Sequence, residues 1–224
     1  MTDAEGGLLF TLAATCRPGG TIVEIGSWKG KSTVWLASGA RQSGARVFAI
    51  DPHEASHEDP AARTLDTLRR NLSDAGVLDL VTPIIARSEN ASRDFTEPID
   101  VLFVDGDHTG AGVRRDLEQW LPKMATPGAL ALHDVVNPAY SGPRRAVARL
   151  LVSSRRIGRM EIVDSIAYAS TVVHNRTADY AANCLMAVAL RAYGLRPAHM
   201  PAPVGRMLAA IAAVTPLRKR RSHP

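Results

Sequence analysis

The stretch Thr21-Ile22-Val23-Glu24-Ile25-Gly26-Ser27-Trp28-Lys29-Gly30-Lys31-Ser32-Thr33 limits what this chain can fold into more than any other. A short run rich in branched apolar residues ends at a glycine, a small polar loop follows, and a helical pattern begins. That is a strand, a tight turn and a helix start, the geometry that holds nucleotide-like ligands at a strand's C-terminal end. Gly26 and Gly30 let the backbone bend and a ligand approach. Ser32 and Thr33 are expected to cap the helix, whose free N–H groups attract polar or anionic groups. A phosphate-binding P-loop spaces its glycines one residue wider than Ser27, Trp28 and Lys29 allow. A nucleotide-hydrolysing P-loop protein is therefore disfavoured. A nucleoside seat and a plain structural turn both remain open on the loop alone.

At 224 residues the chain suffices for one well-buried α/β domain with a small appendage. Met1-Thr2-Asp3-Ala4-Glu5 is acidic and lacks the basic-then-apolar pattern of a secretion signal. Cys16 and Cys184 are the only cysteines, too few and too far apart for a disulfide framework or a thiolate zinc site. A reducing, cytoplasmic setting is expected, in which the Asn-x-Ser/Thr triplets at Asn90 and Asn175 carry no meaning. The net charge of +5 is uneven. Residues 176–224 hold eight Lys and Arg against Asp179 alone, which leaves residues 1–175 at −2. Basicity belongs to the tail, which argues against general nucleic-acid binding.

Along the chain, apolar runs alternate with helical patterns. Strands are expected at 21–25, 46–50, 80–86, 100–104, 129–132, 160–163 and 168–173. Helices are expected at 5–16, 32–43, around Leu65, Leu68 and Leu72, at 88–93, 111–125 and 142–156. Pro127-Gly128 is read as the break that ends the fifth of these helices. Alternation at this spacing implies an α/β fold: a mostly parallel seven-stranded sheet covered on both faces, closed by one hairpin that places an antiparallel strand near an edge. Residues 1–175 form this domain. Residues 176–224 form a helical, basic C-terminal extension.

Four constellations carry chemistry. Asp51 ends the second strand, where an acidic residue meets ribose hydroxyls in nucleoside-binding folds; the competing reading is a turn aspartate before Pro52. Ser88 follows the third strand, as an adenine border or equally as a helix N-cap. Val104-Asp105-Gly106-Asp107-His108 crowds two carboxylates and an imidazole just past a buried strand, where charge needs a partner. A hard dication such as Mg²⁺ would supply one, against the alternative of an Asp-Gly turn capping backbone N–H groups. His133-Asp134 ends the fifth strand at the same rim, one strand spacing from Asp105, so both acids can share an ion.

These motifs, in this order, resemble the small class I S-adenosylmethionine-dependent methyltransferases related to macrocin-type and other metal-dependent sugar O-methyltransferases, over about residues 19–175. The resemblance implies a Rossmann-like fold and methyl transfer from S-adenosylmethionine to a hydroxyl of a small molecule, a sugar or glycan. It implies cofactor contacts at Glu24, Gly26, Ser27, Ser32, Asp51, Ser88, Asp105 and His108. A divalent metal, Mg²⁺, is implied at Asp105 and Asp134, with Asp107 as a third ligand. Related catechol-type enzymes carry a carboxamide directly after the second metal aspartate, where this chain has Val135, so Asp107, Asn137 or water must complete the shell.

Within that chemistry His133, neutral near pH 7, is the expected base, with His108 the alternative. His53 and His57 are read as solvated loop residues. Arg144 and Arg145 are read as acceptor contacts or as a solvated helix face. The alternatives to a metal-assisted enzyme are a metal-independent methyltransferase and a binding module without turnover. Residues 179–195 and 206–217 are apolar and precede Arg218-Lys219-Arg220-Arg221. Packing on the domain or on a second subunit of a homo-oligomer is the leading reading, and an interfacial helix on anionic lipid is its rival.

Overall fold

A computed structural model describes residues 1–54 and 63–195. The sheet forms from β1 (Thr21–Ile25), β2 (Arg46–Ile50), β3 (Val81–Ile84), β4 (Ile99–Val104), β5 (Met124–Leu132), β6 (Glu161–Val163) and β7 (Ile166–Thr171). Their order is β3-β2-β1-β4-β5-β7-β6. The first five strands run parallel, and β7 is antiparallel to both of its neighbours. This is the expected seven-stranded plan with its closing hairpin.

Side chains alternate between two cores, as the period of a pleated strand requires. On β4, Val101 and Phe103 join Leu9, Leu36, Leu68 and Leu72 under α1 (Asp3–Ala14), α2 (Lys31–Ser43) and α3 (Thr64–Asp74). Leu102 and Val104 join Trp120, Val147, Leu151 and Leu190 on the other face. There they pack under α4 (Ser88–Asp94), α5 (Gly110–Trp120), α6 (Gly142–Ser153) and α7 (Thr177–Gly194). Every residue of β1 and β4 is buried, because both are central strands. Burial at about 25 cal/mol per Å² across two such faces is what holds the sheet's rim in a fixed register.

The fifth helix ends earlier than expected. Pro122 stops it in a short 3-10 turn, Leu121–Lys123, and β5 then begins at Met124. Pro127 and Gly128 do not break a helix. The pairing with β4 jumps from Ile99–Met124 to Val101–Ala129, so residues 125–128 bulge out of that ladder. A bulge tolerates a proline that donates no hydrogen bond.

Helix α7 packs Asn183, Met186, Ala187 and Leu190 inward and leaves Leu185 and Val188 exposed. No helix among the described residues is long and apolar enough to cross a membrane. The 206–217 run and the basic cluster after it lie outside the described residues, as does His57.

Candidate active site

The parallel strands end in step. Ile84, Ile50, Ile25, Val104 and Leu132 stand beside one another across the sheet. One more hydrogen bond carries each ladder past its strand. Asp51 N donates to Ile84 O (3.1 Å), Gly26 N to Ile50 O (2.8 Å), Asp105 N to Ile25 O (2.8 Å) and His133 N to Val104 O (3.0 Å). Four of the expected site residues therefore share one rim.

The glycine loop is tightly closed. Gly26 has φ +89°, and a Cβ there would collide with the carbonyl group of Asp105. Helix α2 begins at a left-handed Gly30 with no side-chain cap. Ser32 and Thr33 thus do not cap it, contrary to expectation. They lie inside the first turn and face inward, where Thr33 Oγ1 donates to Glu24 Oε2 (2.5 Å). Glu24 is fully buried, and burial pushes its carboxyl up to about 7 against the opposing Ser32 and Thr33 hydroxyls. Glu24 Oε1 and Ser27 Oγ are buried without a hydrogen-bond partner among the described residues. Buried polar atoms rarely remain so, which fits a loop that receives a polar ligand.

Asp51 fastens this loop to its neighbour, accepting from Trp28 N (2.9 Å) and His53 N (2.7 Å). His53 is not the solvated residue expected. Its side chain is buried, with Nδ1 3.0 Å from Thr64 Oγ1. Ser88 caps no helix either. Its hydroxyl donates to Asp116 Oδ1 (2.5 Å) and accepts from Trp120 Nε1 (2.8 Å). Asp116 is buried, which pushes its carboxyl up to about 6.

Beyond Asp105 the rim becomes a cluster. Asp105, His108, His133 and Asp134 each bring one donor atom within 4.8 Å of all the others. His133 Nδ1 lies 3.1 Å from Asp105 Oδ1 and 3.4 Å from Asp134 Oδ1. His108 Nε2 lies 3.0 Å from Asp134 Oδ2 and 3.3 Å from Asp105 Oδ1. Asp134 adopts a left-handed backbone (φ +59°), a conformation an aspartate adopts at a cost and one concentrated at functional sites. Asn137, one of the three groups (with Asp107 and water) expected to complete a metal shell, donates through Nδ2 to Asp134 Oδ1 (2.9 Å) and orients that carboxylate.

The electrostatics are mutual. Hydrogen bonding to Asp105 and Asp134 pushes His108 up to about 9. Burial works to lower His133, but the same two carboxylates outweigh it and push the imidazole up to about 10. Burial works to raise Asp134, yet His108, His133 and Asn137 hold it well below the usual carboxylate range. The two carboxylates thus favour the protonated form of His133 over the neutral base expected from the sequence unless another positive charge offsets them. Two carboxylates and two imidazoles fit a divalent cation, whose charge would replace the protons.

Asp107 stands outside the cluster. Its two oxygens accept from Thr109 N (2.8 Å) and Thr109 Oγ1 (3.0 Å), at the start of α5. Arg144 is buried against Tyr193 rather than solvated. Two site residues escape sequence reasoning. Asp116 falls among core-spaced Val113, Leu117 and Trp120, a carboxylate on an apolar face. Glu5 sits in a capping box with Thr2 and reaches the cluster, with Oε2 3.5 Å from His133 Nε2. The Thr2-x-x-Glu5 spacing was the available signal. A groove of about 290 Å³ between α5 and α6 shares no residue with the cluster and is a separate surface.

The chain is 30% identical over 135 residues to a catechol O-methyltransferase of Mycobacterium tuberculosis, covering 60% of this chain and 56% of that protein. It is 25% identical over 162 residues to a catechol O-methyltransferase of Niastella koreensis, covering 65% and 67% respectively. The chain thus spans little more than half the length of the first of these relatives. Among solved structures, an O-methyltransferase of Streptomyces achromogenes in complex with S-adenosylmethionine superposes with TM-score 0.59 at 20% identity, covering 77% of this chain and 81% of that one. A Bacillus cereus O-methyltransferase in complex with S-adenosylhomocysteine gives 0.59 at 22%, covering 76% and 82%. At such identities these two speak for the fold. The family model described as a methyltransferase domain matches residues 23–135, from β1 through the second aspartate of the cluster. That match takes in half of the chain, and the chain belongs to the methyltransferase domain family.

Proposed function

We propose that this chain moves a methyl group from S-adenosylmethionine to a hydroxyl oxygen of a small molecule bearing two neighbouring hydroxyls. The observation that carries this reading is the shared rim. The glycine loop with Asp51 and the Asp105–His133–Asp134 cluster stand on adjacent strand ends, as a methyl donor and its acceptor must. The relatives named catechol O-methyltransferase, and the solved neighbours holding S-adenosylmethionine or its product, support it.

In this reading Gly26, Ser27 and Glu24 receive the amino-acid end of the donor, and Asp51 its ribose. Asp105 and Asp134 would hold a divalent cation, which would supply the positive charge that binds the acceptor's oxygens. When bound, such a cation lowers the pKa of the acceptor hydroxyl and offsets the carboxylates that keep both imidazoles protonated. The oxygen–carbon bond forms as the sulfur–carbon bond breaks, leaving S-adenosylhomocysteine. The hydroxyl proton passes to His108, which in this reading faces the cation's carboxylates without binding the cation, and whose side chain is the more exposed of the two imidazoles and stacked on Tyr140 (centroids 4.3 Å apart). His133, the base expected from the sequence, has the less exposed side chain of the two. Alignment of oxygen, methyl carbon and sulfur supplies much of the acceleration.

A sugar hydroxyl is the acceptor implied by the sequence resemblance, and a catechol is the one favoured by the relatives' names. Both present vicinal oxygens to one cation. Calorimetric titration with S-adenosylmethionine, S-adenosylhomocysteine and ATP tests the donor. Binding of the first two is expected, and preference for ATP or no binding at all would overturn the reading. Product formation with a catechol against a panel of sugars then chooses the acceptor.

A further inference from the structure

We propose that His133 is an inner-sphere metal ligand through Nδ1, backed by Glu5, and that the site therefore takes a borderline transition-metal dication in preference to Mg²⁺. This rests on the reading of Asp105 and Asp134 as cation ligands and adds the identity of the third donor.

Three observations carry it. First, the imidazole presents its two nitrogens to different partners. Nδ1 faces Asp105 Oδ1 and Asp134 Oδ1 at 3.1 and 3.4 Å, while Nε2 faces Glu5 Oε2 at 3.5 Å. A metal-bound histidine ordinarily turns its other N–H toward a carboxylate, which fixes the tautomer and the ring. Second, the donor spacing suits a single ion. Atoms that lie about 2.0–2.2 Å from one cation stand roughly 3–3.4 Å from one another. Third, Glu5 is built in. It is buried, and its Oε1 accepts from Ser165 N (2.9 Å) and Ser165 Oγ (2.5 Å), while Oε2 accepts from Thr2 N (2.7 Å). A carboxylate fixed by three donors from two distant segments faces His133 Nε2, which makes no hydrogen bond among the described residues and would gain this one as the N–H of a metal-bound imidazole.

The chemistry of the donors sets the preference. Mg²⁺ seeks oxygen ligands in near-octahedral geometry, whereas imidazole suits Zn²⁺, Co²⁺ and their neighbours. Replacing one carboxylate-type donor by an imidazole moves the site from the first class to the second.

The test uses the full chain, Co²⁺ as the probe, and no methyl donor or acceptor. In the Co²⁺-loaded protein, proton NMR is expected to show a strongly shifted, exchangeable imidazole N–H, that of His133 Nε2. It should vanish in His133→Asp, whose visible Co²⁺ spectrum should also change. In Glu5→Gln the same proton should exchange with water at least about 10-fold faster. Mg²⁺ in 100-fold excess should fail to displace Co²⁺ from the wild type and should displace it from His133→Asp. Absence of the shifted proton in the wild type overturns the proposal, and so does a Co²⁺ spectrum indifferent to His133→Asp. In His108→Gln the shifted proton should persist, and its loss there would overturn the assignment to His133 even if His133→Asp fails to fold. Failure of S-adenosylmethionine binding by calorimetry would overturn the methyl-donor reading while leaving the Co²⁺ result standing.

Discussion

Glu5 Oε2 and His133 Nε2 face each other at 3.5 Å, joining the first helix of the chain to the end of β5. Through Ser165 the same carboxylate also reaches the turn between β6 and β7. An acid at the chain's start thereby closes the inner wall of the site. Glu5→Gln keeps the shape but sets an amide N–H₂ among Thr2, Ser165 and His133, all donors. A loss of about 1–3 kcal/mol is expected, read as a lower urea midpoint without a change in slope.

Gly26→Ala tests the crossing of the two loops. A methyl group there meets the Asp105 carbonyl, which is backbone and has no rotamer to yield, at a φ of +89° that disfavours alanine. Destabilisation beyond about 2 kcal/mol is expected, together with loss of S-adenosylmethionine binding by calorimetry. An alanine variant with normal affinity would show that this loop does not seat the donor.

His108→Gln separates binding from proton transfer. The amide preserves ring-sized packing against Tyr140 but accepts no proton. Turnover should fall by about 10²–10⁴-fold, with donor affinity within a factor of about two of the wild type. A drop confined to KM would remove His108 from the chemistry.

Asp116 gives a pH signature independent of the cluster. Burial raises its folded carboxyl to about 6, above the unfolded value near 3.8. Between those pH values the folded state binds the proton and the unfolded state does not. This contribution is therefore full at low pH and is lost as pH rises, at up to about 1.4 kcal/mol per pH unit. Asp116→Asn should flatten that segment of the stability curve, measured by urea titration from pH 4 to 6.5.

The strands and the rim were legible because each rests on short-range pattern. Branched runs ending at Gly26, Asp51, Asp105 and Asp134 place those residues at strand ends whatever the rest of the chain does. The beginning of β5 was not legible. Pro127-Gly128 carries the same local signal in a bulge as in a helix break, and only pairing with β4 tells them apart. Ser32, Thr33 and Ser88 have the composition of caps but spend their hydroxyls on Glu24 and Asp116, partners set by tertiary packing. Glu5 lies 128 residues before His133. No spacing rule reaches that far, and only the closed sheet brings them together.

The contact between the Gly26 backbone and the Asp105 carbonyl has a consequence for how such a scaffold can change its substrate. With no room for even one added carbon between the donor loop and the first acid of the cluster, neither can shift without the other. On the proposed function, the distance from methyl carbon to attacking oxygen is thus set by the sheet, as a fixed gauge. On the same reading, new acceptors are accommodated by parts that do not bear on that contact, such as the segment of Asn137 and of Tyr140, whose ring stacks on His108.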